Sequence, residues 1–104
     1  MIVVTSSFIA GKEVEKSLGI VRGNTIRARH IGRDITAFIK NITGGEIEEY
    51  TKLMGEAREQ ALDRMIQNAE ELGANAIIDV RFSTSYVMAQ AAEVLVFGTA
   101  VIIK

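Results

Sequence analysis

Apolar residues along this chain switch between two periods. Over residues 46–73 they recur at steps of three and four. Ile47, Tyr50, Met54, Ala57, Ala61, Met65, Ala69 and Leu72 all fall within roughly 60° of Met54 when each residue turns about 100°. The opposite side carries Glu48, Glu49, Lys52, Glu56, Glu59, Asp63, Gln67, Glu70 and Glu71. This pattern predicts one long amphipathic helix. Acids crowd its first turn, where the positive end of the helix dipole favours them, and Gly73 supplies the stop.

The flanking segments follow a strand period. Residues 2–5 form a short β-branched run, and residues 14–21 a weaker strand with Val14, Leu18 and Ile20 near one side. Gly23-Asn24 reads as a turn into a further strand over residues 25–31, where Ile26 and Ala28 alternate with Arg27 and Arg29. Asp34 is placed to cap a short helix bearing Ile35, Phe38, Ile39 and Ile42, which Gly44-Gly45 then ends. From residue 76 to 88, Ile78, Val80, Phe82, Tyr86 and Met88 alternate with Asp79, Arg81, Ser83 and Ser85. Residues 89–92 connect to a last strand, 93–103, apolar on both sides: Leu95, Phe97, Val101 and Ile103 one way, Val94, Val96, Ala100 and Ile102 the other. The fold class is α+β: a two-layer domain with one long helix and one short helix on a small antiparallel sheet. One sheet face packs on the helix, so something must cover the other, and a second copy of the chain is the expected cover.

Composition narrows the picture. The 104 residues make a single domain, 1–104, and 48% apolar against 24% charged residues is the balance of an ordinary folded protein. A net charge of −1 gives no global pull toward nucleic acid or an anionic membrane. The first five residues are too short for a signal-peptide core, and the late apolar stretch, 94–103, is about half a bilayer span, so a cytoplasmic protein is expected.

The inventory of reactive groups is short. The chain has no cysteine, which excludes disulfides and thiolate chemistry, and one histidine, His30, between Arg29 and Arg33, whose charges repel a cation. The helix carboxylates lack a loop to converge them on a hard cation. No serine sits in a Gly-x-Ser-x-Gly elbow, and His30 has no acidic orienter nearby in sequence. Gly44-Gly45 ahead of a helix could cradle an anion, but Glu46, Glu48 and Glu49 already occupy that end with negative charge. We therefore expect no catalytic residues, no cofactor and no metal site.

Charge is unevenly spread. Residues 22–33 hold Arg22, Arg27, Arg29, Arg33 and His30 without an acid, while residues 46–71 hold eight acids against three bases. A basic strand can bind RNA or a small anion, yet that stretch lacks stacking aromatics, so pairing with acidic surface on a neighbouring copy is preferred and nucleic acid is disfavoured. Arg58 lies about 40° from Met54, inside the apolar stripe, where it must reach water or a carboxylate such as Asp79, Glu93 or Asp34.

An ordered set of segments resembles the YbjQ-like family, small proteins described as heavy-metal-binding domains. These are Val4-Thr-Ser-Ser7, Leu18-Gly-Ile-Val-Arg-Gly23, Gly32-Arg-Asp34, Ile42-Thr-Gly-Gly45, Tyr50 with Ala57-Arg-Glu59, Leu72-Gly-Ala-Asn-Ala-Ile77 and Phe97-Gly-Thr-Ala-Val101. The resemblance implies a long helix on an antiparallel sheet, dodecin-like or ferredoxin-like in outline. It also implies assembly as a ring-shaped homopentamer in which short added strands join subunits. No catalytic residues transfer with it, and the lack of cysteine departs from any soft-metal pattern. The functional expectation is a self-assembling, non-enzymatic domain. The alternative is a module binding a small anion or metal ion at subunit interfaces, with Arg58, Tyr50, Gly44, Gly45, Arg27, Arg29 and His30 as the candidate ligand or interface residues.

Overall fold

The computed structural model describes residues 1–28, 44–88 and 91–104, with side chains over 1–26, 51–86 and 91–104. Among these described residues, four strands and one helix follow in order: β1 (Ile2–Val3), β2 (Val14–Ala28), α1 (Gly44–Glu71), β3 (Ala76–Met88) and β4 (Ala91–Ile103). They form one sheet in the order β1-β3-β4-β2, with α1 on one face. The fold is α+β as expected. The sheet is mixed rather than wholly antiparallel, because β1 runs parallel to β3 while β4 is antiparallel to both its neighbours.

Five residues of the predicted stripe, Met54, Ala57, Ala61, Met65 and Ala69, meet Val21, Ile77, Val80, Val94, Val96 and Ala100 in the core, while Leu72, past the end of α1, is exposed and the side chains of Ile47 and Tyr50 lie outside those described. The stripe's alanines let the helix approach closely. A Cβ on Gly23 of β2 would meet the Ala61 carbonyl oxygen and stand 2.5 Å from the Met65 backbone nitrogen. That contact explains why Gly23-Asn24 is no turn. β2 runs straight through it, and glycine is there so that two backbones can touch. The helix also starts earlier than expected, with Gly44-Gly45 in its first turn rather than before it. At the other end the Ala74 N–H reaches the Ala69 carbonyl and the Gly73 N–H reaches that of Glu70, with Gly73 at φ 84, a Schellman closure. The short helix expected over residues 34–42 lies outside the described residues.

Two departures from simple alternation matter. The register shifts between Ile78 and Arg81, where Asp79 takes φ 55, a left-handed value aspartate tolerates better than most residues. The bulge sends Ile78 to the sheet face away from α1, opposite Val80, whereas strict alternation put the two on one side. Second, the cover over that far face is at one end the chain's own: Val4, Ile9 and Ile103 pack against Ala76, Ile78 and Val101. β4 thus has two buried sides at its C-terminal end, and the expectation that another copy covers the second side does not apply there.

The molecule is long for its mass. It measures 54 × 22 × 15 Å with a radius of gyration of 17.2 Å, against about 13 Å for a compact chain of this length. Its surface of 6617 Å² exceeds the roughly 5,800 Å² that monomers of 11.4 kDa expose. Met65 is the largest side chain fully withdrawn from water. Met65→Ala is expected to cost about 2–5 kcal/mol, measurable as a lower urea midpoint at unchanged slope.

Candidate functional site

The two long margins of the sheet are treated differently. Along β2, the Arg22 N–H points outward and donates to Asn68 Oδ1 at 3.3 Å, and the Asn24 carbonyl accepts from Arg64 Nη1 at 2.6 Å. Both partners come from α1, so the helix itself satisfies the middle of this margin. Arg64 also lies 3.4 Å from the Thr25 hydroxyl, tying a buried polar group to the same clamp.

Along β3, the N-terminal segment pairs only the first half. Val4 accepts from Val80, its N–H bonds Ile77, and Ser6 accepts from Asp79. Beyond this point Arg81 Nη1 donates to the Thr5 and Val80 carbonyls, at 2.7 and 2.8 Å, and closes the end of the pairing. Since the Val80 N–H points outward, alternation points those of Phe82, Thr84 and Tyr86 outward too. Among the described residues no strand pairs them. Their side chains share the helix-side face, yet α1 lies over β2 and β4 and barely reaches β3. Phe82 and Tyr86 are left 48% and 71% exposed. An open backbone margin and a bare aromatic strip therefore coincide over residues 82–86.

The face away from the helix has its own arrangement. Cross-strand partners share a face, which sets Arg22 of β2, Phe97 of β4 and Arg81 of β3 in one row. The next row is Asn24, Leu95 and Ser83, and the one after it Ile26, Glu93 and Ser85. Glu93 faces the Asn24 amide at 3.5 Å.

Of the expected ligand or interface residues, Arg58 is the one whose side chain is described. Arg58 is exposed, with its guanidinium 3.7 Å from where a Gly55 Cβ would stand, and neither Asp79 nor Glu93 pairs with it: Asp79 takes the Ser7 hydroxyl at 2.8 Å. Gly44, Gly45 and Tyr50 lie on the first two turns of α1, and Arg27 is on β2. Arg29, His30 and Asp34 fall outside the described residues. Glu56, Glu59 and Asp63 line a shallow groove on the solvent side of α1 with Lys52, Gly55 and Gln60. Seven residues of helix separate the outer two acids by about 10 Å, too far for one ion.

A scan against protein families matches residues 1–104 to the YbjQ model, whose description reads "Putative heavy-metal-binding". The chain belongs to the YbjQ family. Relatives named UPF0145 protein include one from Dehalococcoides mccartyi, 58% identical with both chains wholly covered. Another, from Methanosarcina acetivorans, is 54% identical over 97% of this chain and 95% of its own. A crystal structure of a DUF74-family protein from Pediococcus pentosaceus superposes with a TM-score of 0.63 at 17% identity, covering 100% of this chain and 98% of that one, and shares its fold. Among the described residues, the donors of this YbjQ-family chain make up no heavy-metal centre. Thiophilic ions want thiolates, and the sequence has none. Among the described residues no three His, Asp or Glu side chains converge. Also among them, no helix is long and apolar enough to cross a membrane.

Proposed function

We infer that this chain is a non-catalytic, cytoplasmic building block whose working unit is a homo-oligomer, joined along the open margin of β3. The supporting observation is the coincidence at residues 82–86 of outward-facing backbone groups with the exposed rings of Phe82 and Tyr86. Either feature alone is common. Together they supply the hydrogen bonds and the apolar area that strand addition from another copy uses. The surface in excess of a compact monomer points the same way. Five copies is the number that the likeness to ring-forming YbjQ-like proteins implies.

Light scattering coupled to size exclusion tests this reading. A mass near five chains of 11.4 kDa, about 57 kDa, is expected. A single subunit persisting at high protein concentration would overturn it. The competing reading, a small anion or metal ion bound at subunit boundaries through Arg58 or the basic strand, draws support from the exposure of Arg58 without a partner in Asp79 or Glu93. A thermal-shift screen of divalent metals and phosphorylated metabolites tests it, and a flat screen removes it.

A further inference from the structure

We propose that the sheet face away from the helix binds a nucleotide, its base stacked on Phe97 and its phosphate held by Arg22 and Arg81. In sequence these three residues are scattered across the chain. The antiparallel register brings them into a single row on three adjacent strands, with about 5 Å between neighbours. Phe97 is 39% exposed, and both arginines are exposed. An aromatic ring with an arginine on each neighbouring strand offers a π-face for a base and charge within reach of the phosphate attached to it.

The two arginines are not equivalent. Arg81 is pinned through Nη1 to the Thr5 and Val80 carbonyls, which fixes its fork at the β3 margin, one strand over from the ring, and leaves its other N–H groups for a ligand. Arg22 has its backbone fixed by Asn68, and its side chain has no ion pair among the described residues. The adjoining row adds Asn24 and Ser83, groups that hydrogen-bond a base edge. The one carboxylate on these rows, Glu93, stands two rows from Phe97 and faces the Asn24 amide. The N-terminal segment, packed over Ala76, Ile78 and Val101, walls the patch at one end.

A second copy of the chain is the other conceivable occupant, since Ile20 and Ile26 are 77% and 60% exposed on this face. A two-fold contact through this face, however, would bring the arginines of one copy against those of the other. The arrangement suits a phosphate-bearing aromatic ligand better. That ligand is a free mononucleotide or one unit of a single strand.

The intact protein is titrated at low salt with AMP by calorimetry and with a short labelled oligothymidylate by fluorescence anisotropy. Adenosine and inorganic phosphate are titrated separately. AMP is expected to bind at least about 10-fold more tightly than either half alone, since the row engages both. An oligonucleotide bound about 10-fold more tightly than AMP identifies nucleic acid as the source, and equal affinity identifies the free nucleotide. Phe97→Leu is expected to weaken binding about 5-fold or more through loss of stacking. Arg22→Gln should do likewise and lower the salt slope of oligonucleotide binding by about 1. Light scattering and thermal unfolding on both variants separate this from assembly. No signal with AMP or the oligonucleotide at about 1 mM, far above useful affinity, overturns the proposal. So does undiminished binding by both variants, or a changed assembly mass in them, which would mean that a neighbouring copy occupies the face.

Discussion

Gly23→Ala is expected to lower the thermal midpoint by about 12–24 °C. The added methyl has no room. It would run into the Ala61 carbonyl oxygen and lie 2.5 Å from the Met65 nitrogen and 3.0 Å from the Arg64 Cβ. Two of the three obstacles are helix backbone, which cannot rotate away as a side chain would. Relief requires α1 to lift from β2, which opens the packing of Ala61 and Met65 and stretches the Arg64 bond to Asn24. Overpacking of this kind costs about 3 kcal/mol at the upper end of the usual range. Each kcal/mol moves the midpoint of a domain this size by about 4–8 °C. Differential scanning calorimetry on the variant is the check. A shift below about 4 °C would mean that the helix is not in contact with β2 at that point.

Thr84→Pro is expected to reduce the assembled mass to that of one chain, 11.4 kDa, while leaving the helical circular dichroism in place. Thr84 is the middle of the three outward-facing residues of β3. Its N–H points away from β4, so proline removes a donor that the chain's own ladder does not use. A strand arriving from another copy loses that bond and meets the pyrrolidine ring. Phe82→Lys acts on the same margin without touching the backbone, placing a charge where an apolar contact is needed. If both variants keep the parent's mass with native dichroism, this edge is not where subunits meet.

The helix was readable because its signal is local. Met54, Ala57, Ala61, Met65 and Ala69 report their common burial through spacing alone. The two sides of β4 were equally legible, since Val94, Val96 and Ala100 alternate cleanly with Leu95, Phe97 and Val101. What stayed hidden depends on register. Gly23 looked like a turn because a glycine before asparagine carries the same letters whether the chain reverses or a helix presses on it. The bulge at Asp79 had no periodic signature strong enough to reveal it, so Ile78 was assigned to the wrong face. The row of Arg22, Phe97 and Arg81 was invisible for the same reason: its members lie on three strands, and only cross-strand pairing makes them neighbours. The basic stretch over residues 22–33 holds no stacking aromatic, and the fold supplies that ring from β4.

The clamp formed by Arg64 and Asn68 has one more consequence. Endless fibrils of stacked sheets need every unit to be adhesive on both flanks, and here one flank is already spoken for by the chain's own helix. A protomer therefore has a direction. It can lend its β3 side to a neighbour but not its β2 side, so edge-to-edge stacking cannot propagate, and a ring must receive the β3 margin on a surface other than the β2 edge.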